Sequence, residues 1–252
     1  MIFAGARRLL SRVLVGFFRR ALLMLCLWPA GAFATETIIA AGYESPTGRY
    51  PHAVLGDALE YGTLAVTLTS GSVRRFVLPD SAVFEDTEPR LVDLDEDNSP
   101  ELLVVESDQR RGARLAVYGP AGRITATPYI GTRFRWLAPV GAADLDGDGR
   151  VEVAYVDRPH LAKTLRVWRY ENQQLTQVAT KPGVTNHRIG ETDIAGGIRT
   201  CAGRPEMILS DATWGRLLAL RFAAGEISAQ PLGDDTSRAA FARAMRCQDE
   251  PV

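Results

Sequence analysis

An aspartate-rich segment that recurs at a fixed spacing constrains this chain more than any other feature. The segment Asp93-Leu-Asp-Glu-Asp-Asn-Ser-Pro-Glu101 aligns with Asp144-Leu-Asp-Gly-Asp-Gly-Arg-Val-Glu152, and their first aspartates lie 51 positions apart. A third, degraded copy follows 49 positions later and keeps Asp193. Each copy precedes two apolar runs separated by a turn. A repeat of about 50 residues containing about four strands is typical of the blades of a β-propeller.

The rest of the chain is equally rich in short strand-like runs, which Gly, Pro, Asp and Asn clusters separate. We predict strands over residues 63–68, 73–78, 101–105, 114–118, 151–156, 165–170, 207–209 and 217–222. No long stretch shows helical periodicity before the C-terminal region, so the chain is predicted to be all-β. A β-sandwich would also contain short strands, but it would not explain why one loop recurs at one place in the period.

The length of 252 residues sets the number of blades. We expect a small propeller over residues 35–233, with about four four-stranded antiparallel blades and room for a partial fifth, and a truncated first repeat at residues 52–80. Residues 234–252 are predicted to form a short C-terminal helix and a tail. Aspartate at the start of this segment would cap the helix. Phe241 and Met245 lie four positions apart and would share the face that packs on the propeller.

The two intact loops have the donor pattern of a calcium site. Carboxylates stand at positions 1, 3, 5 and 9, and position 7 offers its backbone carbonyl, which together form the hard oxygen set that Ca²⁺ takes. The predicted ligands of the first-ranked site are Asp144, Asp146, Asp148, Arg150 and Glu152, and those of a second, weaker site are Asp93, Asp95, Asp97, Ser99 and Glu101. The alternative is a metal-free turn in which the aspartates bond their own backbone. An EF-hand does not fit, because Tyr155 stands where its last glutamate belongs and a strand follows the loop.

These two loops, each followed by an apolar strand, resemble the FG-GAP/VCBS repeats of integrin-alpha-type β-propellers. The resemblance covers residues from about 85 to 222, and two repeats match the pattern closely. It implies a propeller braced by Ca²⁺ and involved in adhesion or binding. The chain is too short for the seven blades of that family.

The N-terminus has the layout of a secretory signal peptide. Residues 1–34 contain five arginines and no acid, then the apolar run 21–28, and then Ala32-Phe-Ala34 as a cleavage site. We predict a mature chain that begins near Thr35 and lies in the periplasm of a bacterium or is secreted. An uncleaved signal anchor is the alternative, but the apolar run is shorter than the ~20 residues that span a membrane.

The predicted compartment and the net charge indicate how the cysteines pair and which partners are excluded. In an oxidising compartment the two cysteines left after cleavage, Cys201 and Cys247, are expected to pair. Without residues 1–34 the chain has 24 basic and 30 acidic residues, which argues against a nucleic-acid partner. We predict a monomer that has no membrane span after cleavage.

No known catalytic motif is present, so we expect a non-enzymatic protein that presents loops to an unidentified protein or glycan. The alternative is a small propeller hydrolase or lyase with a central cleft around His52 and His187, provided that both converge on one pocket with Arg188 and an acid such as Glu191. Trp136, Trp168 and Trp214 fall in or beside strands and are interpreted as packing between blades, since aromatic residues dominate β cores.

Overall fold

The structure is a computed structural model and describes residues 36–248. These residues form seventeen strands in three antiparallel sheets and one short helix. The strands are β1 (Ile38–Thr47), β2 (Glu60–Leu68), β3 (Val73–Val77), β4 (Ala82–Phe84), β5 (Arg90–Val92), β6 (Glu101–Asp108), β7 (Gly112–Gly119), β8 (Gly122–Ala126), β9 (Leu137–Ala143), β10 (Glu152–Asp157), β11 (Thr164–Glu171), β12 (Gln174–Pro182), β13 (Val184–Thr185), β14 (Gly197–Cys201), β15 (Arg204–Asp211), β16 (Leu217–Ala223) and β17 (Glu226–Gly233), and the helix is α1 (Arg238–Met245). The signal peptide predicted at residues 1–34 lies outside the described residues. None of the described helices is long and apolar enough to cross a membrane.

The strands follow one another as blades. Strands β1–β3 make a three-stranded first blade, and β5–β8, β9–β12 and β14–β17 make three four-stranded blades in which each strand pairs with the next. This confirms the prediction of an all-β propeller with about four antiparallel blades. The first blade has three strands, but it begins at Ile38, before the truncated first repeat predicted at residues 52–80. All eight predicted strands are present as β2, β3, β6, β7, β10, β11, β15 and β16.

Two very short strands, β4 and β13, extend the blades that follow them. β4 pairs with β6 beside β5, and β13 pairs with β15 beside β14. In the third blade a single continuous strand, β9, pairs with the whole of β10, where the second and fourth blades use two short strands. Its register shifts opposite Ala154 and Tyr155. Because β4 also pairs with β2, it joins the first and second blades into one eight-stranded sheet.

The core lies between neighbouring blades, and the second strand of a blade serves two core layers at once. Leu102 and Val104 on β6 pack toward the first blade, whereas Leu103 and Val105 pack toward the third. Successive side chains of a strand point to opposite faces, so a strand buried on both faces has an unbroken apolar run. This explains why β6 and β10 are buried along their whole length.

The helix α1 packs on the last blade as its sequence predicts. Phe241 is buried and Met245 partly buried against Ala195, Ile208 and neighbouring residues. The capping residue is Ser237, whose hydroxyl accepts the N–H of Ala240 at 3.2 Å, and not the aspartate expected there. The helix therefore begins after the two aspartates and not at them. Asp235 accepts the N–H of Ser237 instead. A disulfide joins Cys201 at the end of β14 to Cys247 just after α1, as predicted.

Candidate metal centre

The Asp144 loop connects β9 to β10 and is shaped by its own first aspartate. The Asp144 carboxylate accepts the backbone N–H groups of Gly147, Asp148 and Gly149 at 2.8–3.1 Å. Gly147 and Gly149 adopt φ values of 79° and 81°, a left-handed conformation that glycine takes without steric cost. The loop is thus folded back over the start of β10, where Glu152 stands.

Three carboxylates of this loop converge. One oxygen each of Asp144, Asp146 and Glu152 lies within 4.8 Å of the other two. Glu152 is fully buried, its Oε2 accepts the N–H of Leu145 at 3.0 Å, and burial raises its pKa. Asp146 Oδ1 is buried and makes no hydrogen bond within the described residues. A buried oxygen without a donor beside two further carboxylates fits a hard divalent cation such as Ca²⁺.

Asp148, the remaining carboxylate predicted as a ligand of this loop, lies outside the convergent set. Asp148 turns toward Arg150, whose Nη2 lies 2.5 Å from Asp148 Oδ2, and this contact lowers the Asp148 pKa. The carbonyl of Arg150 stays a predicted ligand. The loop therefore brings together three of the four carboxylates that the sequence predicts.

The Asp93 loop connects β5 to β6 with the same geometry. Asp93 accepts the N–H groups of Asp97 and Asn98 at 3.1 and 2.9 Å, and Glu101 Oε2 accepts the N–H of Leu94 at 3.0 Å. Glu96 and Asn98 hold the left-handed conformation, with φ of 59° and 67°, that glycines hold in the other loop.

The carboxylates of the Asp93 loop repel one another. Oxygens of Asp93, Asp95 and Glu101 lie within 4.8 Å of one another. Burial, and then the charges of Asp95, Asp97 and Asp93, raise the pKa of Glu101 to about 7, and burial with the charges of Asp97 and Asp93 also raises that of Asp95. A cation placed among these groups would relieve both effects. Asp97 accepts the N–H of Ser99 at 2.7 Å, so these two predicted ligands form a turn of their own.

The two loops differ in one residue that sequence reasoning missed. Arg169 on β11 is paired with Glu152 in the sheet, and its guanidinium contacts Glu152 at 2.6 Å, Asp146 at 2.9 Å and Asp148 at 3.0 Å. In the second blade, the pairing of Leu102 with Tyr118 places Gly119 at the corresponding position, so no arginine faces Glu101 from there. One guanidinium thus offsets part of the negative charge of the Asp144 loop, and among residues 36–248 no ion pair does so at Asp93, Asp95 or Glu101.

The third copy of the loop has lost this chemistry. Asp193 pairs with Arg238 at 2.9 Å, and Ala195, which stands where a ligand would be, is buried beneath α1. Within residues 36–248 only the first two loops assemble three acidic groups.

The histidines lie around Trp136, but they do not form the cleft of the enzyme alternative. His52 Nδ1 lies 2.5 Å from Glu85, whereas His187 contacts His160 at 3.0 Å and the carbonyl of Glu191 at 2.9 Å. Arg188, the third residue of that proposed cleft, stacks on Trp214. The histidine that shares a cavity with His52 is therefore His160, which the sequence did not single out.

The tryptophans serve packing, as expected. Trp136 and Trp168 belong to the core between the second and third blades, and Trp214 packs edge-on against Phe241. The Trp136 indole also donates to the carbonyl of Glu85 at 2.8 Å.

Comparison with known families agrees with the geometry of the loops. Residues 93–155, which span both intact loops, match the FG-GAP-like repeat. The chain carries an FG-GAP-like repeat. The match runs from the loop that follows β5 into β10 and includes both acidic loops. No curated protein matches the chain.

Solved structures share a loose likeness with the chain. An exo-β-1,3-galactanase of Phanerochaete chrysosporium, solved as a variant with β-1,3-galactotriose, is 13% identical with a TM-score of 0.39, and the match covers 78% of this chain and 50% of the galactanase. The complex of the fission yeast SREBP–SCAP binding domains is 8% identical with a TM-score of 0.28, over 90% of this chain and 68% of that one. The chain thus spans about half the length of the galactanase.

Proposed function

We propose that this protein is an exported, non-enzymatic calcium-binding propeller that presents loops to a protein or glycan. The observation that supports it most is the convergence of three carboxylates in each of two FG-GAP-like loops, with Asp146 Oδ1 buried and lacking a donor. Calcium would supply the positive charge that these oxygens lack, and no step of a reaction is implied. The ligands would be Asp144, Asp146 and Glu152 in one loop and Asp93, Asp95 and Glu101 in the other.

The bound ion would act as a brace. Each acidic loop links the first and second strands of a blade, and its last ligand, Glu101 or Glu152, is the first residue of the buried second strand. An ion that ties the loop to this residue would stabilise the strand pair at that end of the blade. A ligand that binds only the folded state stabilises it by about 2.7 kcal/mol at a hundredfold excess over its Kd.

Export and partner rest on other features. The signal-like residues 1–34 motivate the periplasmic or secreted location, and the disulfide between Cys201 and Cys247 is compatible with it. The acidic balance of the remaining chain makes nucleic acid a poor partner. We infer a monomer whose exposed blade loops are the binding surface.

The hydrolase or lyase alternative has less support. It requires His52 and His187 in one cleft, but these residues hydrogen-bond to different partners, and Arg188 lies against Trp214.

Calorimetric titration of the purified protein with calcium, combined with thermal melts in calcium and in chelator, tests the proposal. Calcium should raise Tm, and Asp146→Ala should remove most of the shift that the Asp144 loop contributes. Asp193→Ala is the matched control, because Asp193 belongs to the degraded loop and only pairs with Arg238. Superimposable melting curves in calcium and in chelator would show that the acidic loops are plain turns.

A further inference from the structure

A small cavity that the calcium proposal does not use lies between His52 and His160. It measures about 30 Å³, and Phe134, Trp136, Arg135 and Arg158 complete most of its wall. A cavity of that size holds roughly two ordered waters, or one carboxylate group of a ligand. The loops that form it come from different blades. His52 follows β1, residues 134–136 precede β9, and Arg158 and His160 lie in the loop from β10 to β11.

One wall of the cavity is a rigidly held imidazole. His52 Nδ1 lies 2.5 Å from Glu85, which is fully buried and also accepts the hydroxyl of Ser107. The Phe134 ring stacks on the His52 ring at 5.0 Å between centroids. Nδ1 is committed to the carboxylate, and Nε2 on the opposite side of the ring makes no hydrogen bond within residues 36–248. A buried carboxylate that orients an imidazole in this way leaves Nε2 as the ring nitrogen available to a ligand, and His52 lines the cavity.

The opposite wall is neutral. The carbonyl of Glu191 can only accept, so His187 Nε2 carries a proton. Burial lowers the pKa of His160 to about 4 and also lowers that of His187, so both imidazoles are uncharged at neutral pH. In that state His187 Nδ1 accepts the hydrogen bond from His160 Nε2.

Positive charge is in excess around the cavity. Arg158 lines the cavity and shares the buried carboxylate of Asp157 with Arg166, which lies outside the cavity wall, so that two guanidinium groups contact one acid. Arg135 also lines the cavity and hydrogen-bonds to the carbonyl of Phe134. Among residues 36–248, the carboxylate that contacts His52 is that of Glu85. This surplus favours an anion and disfavours a metal ion or an organic cation.

The backbone of the cavity wall is held in an unusual conformation. Phe134 and Arg158 have φ values of 60° and 46°, in the left-handed region that bulky side chains rarely adopt. Phe134 is kept there by its N–H, which donates to the Tyr50 hydroxyl at 2.8 Å. Strained residues cluster at binding sites, where the surrounding structure maintains them.

We propose that this cavity is a binding site for the carboxylate group of a small organic anion, with His52 Nε2, Arg135 and Arg158 as its polar contacts. The site is independent of the calcium loops, and its ligand class follows from the surplus of guanidinium groups and the single positioned imidazole.

Titration with sodium acetate at constant ionic strength, followed by ¹H–¹⁵N correlation spectra of the purified protein, tests this. Saturable shifts should appear at the backbone N–H groups of residues 134–136 and at the indole N–H of Trp136. Arg135→Gln should weaken acetate binding about tenfold, because a hydrogen bond to a charged group is lost. Arg188→Gln is the matched control, since Arg188 is an exposed arginine stacked on Trp214 outside the cavity.

His52→Gln provides a second variant in case loss of charge at position 135 disturbs the fold, and it should also weaken binding. Absence of saturable shifts with acetate, or equal affinities in the Arg135 and Arg188 variants, would overturn the proposal. A response to zinc chloride at His52 and His160, without a response to acetate, would overturn it in favour of a metal site.

Discussion

At the scale of single residues, Arg169 distinguishes two loops that look alike in sequence. Its guanidinium contacts Asp146, Asp148 and Glu152, and the position is Gly119 in the second blade. A calcium ion in the Asp144 loop would compete with this guanidinium for the same oxygens, whereas no ion pair among residues 36–248 places a guanidinium on Asp93, Asp95 or Glu101. Under the proposed function, we therefore expect calcium to bind the Asp93 loop more tightly than its sequence alone predicts.

Arg169→Gln tests this competition. Removing the guanidinium should increase the calcium affinity of the Asp144 loop, because the ion no longer displaces a bound cation. In chelator the same variant should lose about 2 kcal/mol of stability, since buried carboxylates lose charged donors. Calcium titration by calorimetry and denaturant unfolding in chelator measure the two effects. Unchanged affinity in this variant, with calcium still bound, would show that Arg169 does not compete.

Glu101 gives the Asp93 loop a pH dependence. Its pKa is raised to about 7 in the folded protein, above about 4.3 in an unfolded chain, so the folded state holds its proton more tightly. In chelator the contribution of Glu101 to stability is present below pH 4 and is lost as the pH rises toward 7. Glu101→Gln should flatten this part of the profile of unfolding free energy against pH. Calcium binding needs the ionised group, so affinity at this loop should rise from pH 5 to pH 8. A profile that is the same in the variant would contradict this assignment.

At the scale of the elements, the short first strands of the blades depend on turns that allow close backbone approach. Gly196 precedes β14 with φ of 78°, and a Cβ there would lie 1.9 Å from the carbonyl oxygen of Ile208. Gly203, in the turn between β14 and β15, has a similar φ of 76° but open space around it. Substitution of Gly203 therefore tests backbone strain alone, whereas substitution of Gly196 tests backbone strain together with a steric clash.

Gly196→Ala should destabilise the protein much more than Gly203→Ala. The second change costs about 1 kcal/mol for the left-handed conformation alone, while the first must also displace β15. Denaturant unfolding of both variants measures the difference. Equal losses would mean that β15 moves aside without cost.

At the scale of the whole molecule, the C-terminal helix closes the chain onto the last blade through several contacts. Phe241 packs in the core there, Arg199 Nη1 donates to the carbonyl of Ala244 at 2.6 Å, and the disulfide joins Cys201 to Cys247. The bridge closes a loop with a sequence separation of 46.

Cys201→Ser with Cys247→Ser should lower the free energy of unfolding by about 4 kcal/mol in the chain-entropy model. Calcium dependence should remain, because both acidic loops lie in other blades. Unfolding of the oxidised protein and the double variant, each with and without calcium, tests both statements. A double variant as stable as the oxidised protein would show that packing around Phe241 suffices.

The sequence by itself determined the features that a local pattern or a repeat contains. The spacing of Asp93 and Asp144 indicated blades, the apolar runs located eight strands, and the two cysteines within residues 36–248 allowed one pairing. What only the tertiary structure decided are contacts that depend on register and loop paths. Arg169 meets Glu152 because β10 and β11 pair in one register, and His52 shares a cavity with His160 because loops of different blades converge there. Such contacts join positions far apart in the chain, and local periodicity contains no information about which of them meet.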